Sequence, residues 1–135
     1  SGKRTIIQSN WANLKIETGE NIFRVEQAPH NLIFPRCASI LHHGGAGTTQ
    51  SALLAGKPSI VIPHGFDQMY WANHLFDQGV AAEPIPKNVA TPHEIAGHIK
   101  WLNAAEHIQE KASDIGKQMQ NENGVQHAVK LIETL

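Results

Sequence analysis

The sequence has little cysteine, little net charge and no long apolar run, and each shortage excludes a class of protein. Cys37 is the one cysteine, so an internal disulfide is impossible, and no N-terminal segment resembles a signal peptide. These two features favour a reducing, cytoplasmic setting. The 11 Lys and Arg residues nearly balance 12 Asp and Glu, and the net charge of -1 supplies no basic surface for nucleic acid. No apolar run approaches the roughly 20 residues of a membrane-spanning helix, so no transmembrane segment is expected.

Short β-like runs alternate with longer helical patterns along the 135 residues, a length that suits one domain. The β-like runs lie at 4–9, 21–25, 38–43 and 58–63, with a short edge strand at 80–85. Helical patterns lie at 48–55, 68–78, 105–120 and 125–135, with another helix starting at 91 and one short turn at 31–35. This order predicts an α/β fold with an open, mostly parallel sheet, Rossmann-like, with helices on both faces. A ligand would bind at the carboxyl ends of the strands.

A glycine-rich segment between the third strand and the next helix is the strongest local feature, with the sequence HGGAGTT at 43–49. Glycines allow the backbone to approach a ligand closely, and the first N–H groups of a helix attract an anion. Side chains of His43, Thr48 and Thr49 can donate to phosphate oxygens, and the N–H groups of both threonines are expected to point outward. The segment therefore predicts a diphosphate site made of His43, Gly45, Gly47, Thr48 and Thr49; the alternative is a tight turn before a capped helix.

Two familiar nucleotide loops fit this segment poorly. A P-loop needs a lysine before its Ser or Thr, and here Gly47 precedes Thr48 directly. A dinucleotide fingerprint needs a small residue where Gln50 stands and an acidic residue at the end of the next strand. Asp67 lies beyond that strand end, after an intervening loop. ATP hydrolysis and dinucleotide binding are therefore disfavoured.

Two predicted helix starts carry polar side chains. Asp67 and Gln68 follow the fourth strand, and a carboxylate beside a carboxamide can grip the hydroxyls of a sugar. The alternative for Asp67 is an N-cap of the following helix, and both roles are compatible. Thr91 and Glu94 have the spacing of a capping box, which predicts a firm helix start at 91.

The nine histidines do not form a recognisable metal-binding pattern. His42 and His43 are neighbours on a strand, so their side chains should face opposite sides. His93 and His98 are five residues apart, which misses the spacing of three or four that shares a helix face. No metal is expected, and no sequence pattern of a serine or cysteine nucleophile is present.

Four motifs together resemble a known family: APH at 28–30, HHGGAGTT at 42–49, AGKP at 55–58 and PHGFDQ at 63–68. The sequence is similar to the C-terminal, donor-binding domain of GT-B glycosyltransferases. The family is the nucleotide-sugar-dependent one that contains sterol glucosyltransferases, macrolide glycosyltransferases and UDP-glucuronosyltransferases. The resemblance covers residues 5–102 and implies one Rossmann-like half of the GT-B fold, incomplete at its N-terminus.

The resemblance also implies residue roles. His43 would contact the β-phosphate of the donor, Gly47 and Thr48 would hold the phosphates, and Asp67 with Gln68 would bind hydroxyls of the donor sugar.

The nucleobase would lie along residues 25–30, with Val25, Gln27 and His30 as candidate contacts, and Ser51 would lie near the ribose. Gln27 stands where the plant branch has a stacking tryptophan, and Ser51 stands where that branch has a glutamate for the ribose. Base and ribose contacts should therefore differ from those of the plant branch. Trp11, in the loop after the first strand, is a candidate either for the nucleotide or for the core.

The implied whole protein is an inverting glycosyltransferase. It would move a hexose from a UDP-sugar or dTDP-sugar, without a metal or other cofactor, to a hydroxyl of a small lipophilic acceptor. The acceptor pocket and the catalytic base would belong to an N-terminal domain outside this chain, so no catalytic residue is expected here and the chain alone would be inactive. The enzyme would be cytoplasmic or peripheral at a membrane. Alternatives are a natural donor-binding subunit of a split glycosyltransferase, a GT-B-type nucleotide-sugar epimerase or hydrolase, and a non-binding remnant.

Overall fold

The computed structural model describes residues 2–9 and 19–134, so Trp11 lies outside the described residues. Four strands and six α-helices are present in these ranges, together with a 3-10 helix at Phe34–Arg36. The strands are β1 (Thr5–Gln8), β2 (Ile22–Val25), β3 (Ile40–His42) and β4 (Ser59–Val61). The helices are α1 (His30–Ile33), α2 (Ala46–Leu54), α3 (Gln68–Asp77), α4 (Pro92–Ala104), α5 (Glu106–Asn121) and α6 (Gly124–Glu133). Each element falls within or close to its predicted range.

The described strands form two parallel pairs, β1 with β2 and β3 with β4, rather than one continuous sheet. The parallel arrangement is confirmed. Ile40 and His42 both direct backbone groups towards β4, because Ile40 N–H donates to Pro58 O and His42 O accepts from Ile62 N–H. Within this three-residue strand, Leu41 alone then directs its backbone groups to the opposite edge. One residue supplies too few backbone groups to pair with another strand at the free edge of β3.

The edge strand expected at 80–85 is reduced to one parallel bridge between Ser59 and Ala81. Ala82 N–H donates to Ser59 O, and the next donor in a regular ladder would be residue 84. That residue is Pro84, which has no N–H. Ile85 N–H donates to Val61 O instead, so the ladder is irregular after its first two bonds, Ser59 N–H to Val80 O and Ala82 N–H to Ser59 O.

The core lies on both faces of β4. Neighbouring residues of a strand point to opposite faces, and Ile60 and Val61, at most 1% exposed, belong to two separate apolar clusters. Ile60 packs with residues of α4 and α5, including Leu102, whereas Val61 packs with residues of α3, including Leu75. Helices therefore cover both faces of this strand, as the sequence predicted.

Several helix boundaries follow from local chemistry. The capping box at α4 is confirmed, since Glu94 N–H donates to Thr91 Oγ1 at 3.2 Å and Thr91 N–H donates to Glu94 Oε2 at 3.0 Å.

Helix α5 packs closely against the chain just after α2, where a Cβ on Gly116 would lie 2.7 Å from the Cα of Gly56. Among the described residues, none of the helices combines the length and apolar character that crossing a membrane requires.

Candidate functional site

The glycine loop, residues 43–47, leads from the end of β3 into the first turn of α2. Gly45 is the N-cap of α2 and has no side chain to accept from the first-turn N–H groups. The first intrahelical bond runs from Thr49 N–H to Gly45 O at 2.9 Å. The N–H groups of Ala46, Gly47 and Thr48 precede that bond, so the helix cannot satisfy them itself. They provide donors at the positive end of the helix dipole.

His43 lies over this helix start. A Cβ placed on Gly45 would lie 2.5 Å from His43 Nε2, closer than real Cβ atoms approach any neighbour. Glycine at position 45 therefore allows the imidazole to sit beside the N-cap. The His43 side chain is also exposed, which leaves its ring accessible to a ligand at the first-turn amides.

Thr49 departs from the expected arrangement, and the two threonines are not equivalent. The Thr49 N–H is occupied by the bond to Gly45, its side chain is 2% exposed, and its Oγ1 is buried without a described partner. Consecutive residues of a helix are rotated by about 100° around its axis. The Thr49 side chain therefore points into the core, whereas that of Thr48 is half-buried at the surface. The expectation of an outward Thr49 N–H was wrong. Ser51, in the second turn, donates its hydroxyl to Gly47 O at 2.8 Å.

The loop after β4 holds the expected sugar-binding pair. Asp67 does not cap α3 with its side chain, which corrects the capping expectation. Its backbone is helical (φ -72°, ψ -8°) rather than extended, so the carboxylate cannot turn back to the first-turn N–H groups. Asp67 Oδ2 instead accepts from Trp71 Nε1 at 3.1 Å, and Gln68 Oε1 accepts from His64 N–H at 2.8 Å. These bonds orient both side chains and leave Asp67 Oδ1 and the Gln68 amide nitrogen for another partner.

The two loops touch each other at the carboxyl ends of β3 and β4. Gly44 has φ +90°, and a Cβ there would lie 2.9 Å from both Gln68 O and Val61 Cγ1. The His43 and His64 rings, one from each loop, have centroids 6.4 Å apart. Desolvation and the charges of Lys87 and His43 lower the pKa of His64. The structure therefore brings the predicted phosphate-binding and sugar-binding residues together.

The predicted base-binding residues occupy a separate part of the chain. Val25 ends β2 and is half-buried, Gln27 is exposed in the following loop, and His30 begins α1. The His30 ring is stacked on Phe34, with a centroid distance of 4.3 Å and an interplanar angle of 13°. Helix α1 packs against α2, and His30 lies close enough to His42 for its charge to lower the pKa of the His42 ring.

The sequence analysis gave no role in the site to His42, which ends β3 and is buried. Its Nδ1 accepts from Gly44 N–H at 3.1 Å, and its Nε2 lies 3.1 Å from Ser59 Oγ on β4. Burial, with smaller effects of His43 and His30, lowers the pKa of His42 to about 4. The predicted alternation of His42 and His43 is confirmed, because one ring is buried and the other exposed. This alternation was the sequence signal that could have identified one of the two histidines as buried.

One groove of the molecule lies away from the glycine loop. A groove of about 610 Å³ lies at the amino ends of β3 and β4, where Ala38, Gly56 and Pro58 line it together with residues of α5. It contains no residue of the glycine loop, and parallel sheets bind ligands at the opposite end. In the part of the chain that the structure describes, no three His, Cys, Asp or Glu side chains form a group that could hold a metal ion.

Comparisons with known proteins agree on one family. The family described as "Erythromycin biosynthesis protein CIII-like, C-terminal domain" matches residues 6–135. The chain is 35% identical over 130 residues to a sterol 3-beta-glucosyltransferase of Arabidopsis thaliana, a match that covers 94% of this chain and 21% of the relative. The chain thus spans about a fifth of the length of that relative.

Solved structures show the same fold. The glycosyltransferase of kitacinnamycin superposes with a TM-score of 0.85 at 23% identity, over 96% of this chain and 34% of that one. Glycosyltransferase VinC in complex with dTDP superposes with a TM-score of 0.75 at 26% identity, over 88% of this chain and 31% of that one.

Proposed function

Because the chain belongs to the EryCIII-like C-terminal domain family of glycosyltransferases, we propose that its glycine loop and the Asp67–Gln68 pair bind a nucleoside diphosphate sugar. The single observation that carries this proposal is the contact between the two loops. Gly44 packs against Gln68 O, so the open amides of α2 and the sugar-binding side chains lie next to each other at the carboxyl ends of β3 and β4. A nucleotide sugar carries its diphosphate and its sugar side by side, so its binding site needs donors for the phosphates next to polar groups for the sugar.

The first turn of α2 and His43 form the proposed diphosphate cradle. The N–H groups of Ala46, Gly47 and Thr48 donate to phosphate oxygens, and the helix start adds about half a positive charge. The exposed His43 ring donates from the side of Gly45. Thr49 contributes by packing α2 against the core, not by contacting phosphate.

The Asp67–Gln68 pair grips the donor sugar through the atoms that its internal bonds leave available. Asp67 Oδ1 accepts from a sugar hydroxyl while Oδ2 stays bonded to Trp71. The Gln68 amide nitrogen donates to a second hydroxyl while its oxygen stays bonded to His64 N–H. Both side chains are therefore oriented before the sugar arrives.

The whole protein, on this proposal, transfers a hexose with inversion. The acceptor oxygen attacks the anomeric carbon, the bond from that carbon to the β-phosphate oxygen breaks, and the diphosphate leaves with its electron pair. The acceptor proton passes to a base outside this chain. The cradle stabilises the charge that develops on the diphosphate, which is the work that a divalent cation performs in other phosphate chemistry.

The choice of donor and acceptor follows the relatives. VinC was solved with dTDP, and the plant relative is named for glucosyl transfer to sterol. The proposed donors are therefore UDP-sugars or dTDP-sugars. The proposed acceptor is a hydroxyl of a lipophilic molecule such as a sterol or macrolide, held by a part of the protein beyond this chain.

Calorimetric titration of this chain with UDP and with dTDP tests the donor site. We expect a dissociation constant between about 1 μM and 1 mM for at least one nucleotide. His43→Ala should weaken binding by about 10-fold to 100-fold, because a hydrogen bond to a charged group contributes roughly 1.5–3 kcal/mol.

A matched control is His107→Ala, which removes an exposed imidazole from α5. It should bind nucleotide like the wild type. Equal affinities of the wild type and His43→Ala would contradict the role of His43. Failure of the folded wild type to bind either nucleotide would contradict a donor site in this chain.

A further inference from the structure

We propose that His42 is a positioning residue that holds the glycine loop in its ligand-binding shape. The inference rests on the proposed function of that loop as a diphosphate cradle. His42 touches neither the open amides of α2 nor the exposed His43 ring. It acts through two hydrogen bonds, one to Gly44 within the loop and one to Ser59 on the neighbouring strand.

The hydrogen bonds determine the protonation of the His42 ring. Gly44 N–H donates to Nδ1, so Nδ1 must carry a lone pair and the proton of a neutral ring lies on Nε2. Nε2–H then donates to Ser59 Oγ. An imidazolium has no lone pair to offer Gly44, and burial of His42 accordingly favours the neutral ring.

Gly44 is the point at which this bond controls the loop. Its φ of +90° turns the chain sharply, and a Cβ at this position would lie 2.9 Å from both Val61 Cγ1 and Gln68 O. The next residue, Gly45, is the N-cap of α2. The position of Gly44 therefore determines where the helix begins and where its first-turn amides point.

Ser59 anchors the ring to the sheet. Ile40 pairs with Ser59 and His42 pairs with Val61 in the β3–β4 register, so these four side chains share one face of the pair. Ser59 is 1% exposed and His42 is 7% exposed. The ring is therefore fixed between a buried hydroxyl on β4 and the backbone of the loop, and it transmits the position of the sheet to the cradle.

Two amide substitutions separate the two bonds. In His42→Asn the side-chain oxygen takes the place of Nδ1 and can still accept from Gly44 N–H. In His42→Gln the side-chain nitrogen takes the place of Nε2 and can still donate to Ser59, but no acceptor remains at the Nδ1 position. Both variants lose the same ring, so a purely structural role predicts similar losses in both.

The experiment measures nucleotide affinity and amide hydrogen exchange on the 135-residue chain. We expect His42→Gln to weaken UDP or dTDP binding about tenfold and to speed exchange at the Gly44 amide at least tenfold. His42→Asn should stay within about threefold of the wild type in both measurements, and Ser59→Ala should fall between the two. The exposed variant His107→Gln is the control for a lost surface histidine and should match the wild type.

Each outcome decides between the accounts. Losses of affinity and of Gly44 protection that are equal in His42→Asn and His42→Gln would overturn the positioning role, as would no change in either. If the wild type binds no nucleotide, the proposed donor site fails, and hydrogen exchange at Gly44 in the two variants still decides whether His42 orders the loop. Thermal unfolding of all variants identifies any loss that follows global stability alone.

Discussion

Acidification should destabilise this fold through His42, and the size of the effect follows from its surroundings. The pKa of His42 is about 4 in the folded chain, against about 6.5 in an unfolded chain. The folded state therefore binds fewer protons than the unfolded state between these values, so stability falls as the pH falls through this window. The loss is about 2 kcal/mol between pH 7 and pH 5, and about 3.4 kcal/mol below pH 4.

Urea denaturation at pH 7, 6 and 5, followed by tryptophan fluorescence, measures this effect. The chain contains nine histidines, so the quantity that isolates His42 is the stability difference between the wild type and His42→Asn. Asparagine does not titrate, and the advantage of the wild type should shrink by about 2 kcal/mol from pH 7 to pH 5. A difference that stays constant across this range would refute the assignment of a buried, neutral His42.

Four other perturbations follow from the surroundings of single residues. Gly44→Ala should destabilise the fold by about 3 kcal/mol, because a Cβ meets Val61 and the Gln68 backbone at 2.9 Å and φ is +90°. In Gly47→Ala the added Cβ has no neighbour within 4 Å. Urea denaturation should therefore show a stability that is unchanged or higher by up to about 1 kcal/mol. Trp71→Phe removes the donor that orients Asp67; calorimetry should show unchanged affinity for UDP but weaker binding of a UDP-sugar. Leu102→Ala empties a fully buried position and should cost about 2–5 kcal/mol in urea denaturation, whereas a loss below about 1 kcal/mol would contradict its place in the core.

Local signals predicted the elements, and they failed where the backbone conformation or a missing N–H prevented the expected hydrogen bonds. The Thr91 and Glu94 capping box formed as its spacing indicated, because both partners lie within one helical turn. Asp67 had a similar local signal, but its backbone is helical and its carboxylate accepts from Trp71. The edge strand at 80–85 had the right composition, but Pro84 lacks the N–H that the ladder needed.

Some features of the candidate site also follow from local sequence, and others do not. The sequence by itself determined the strand, the glycine loop and the helix start, because glycine tolerance and helix N–H geometry depend on residues close together in the chain. It also determined that His42 and His43 point to opposite sides, since a strand alternates.

Only the tertiary structure decided which of these polar groups are exposed. Thr48 and Thr49 are chemically alike, yet the core covers one and leaves the other at the surface. His42 and Ser59 lie 17 residues apart and meet because β3 and β4 pair in parallel. Burial and hydrogen bonds between strands depend on contacts distant in sequence, and these contacts bury the ring of His42 and leave that of His43 exposed.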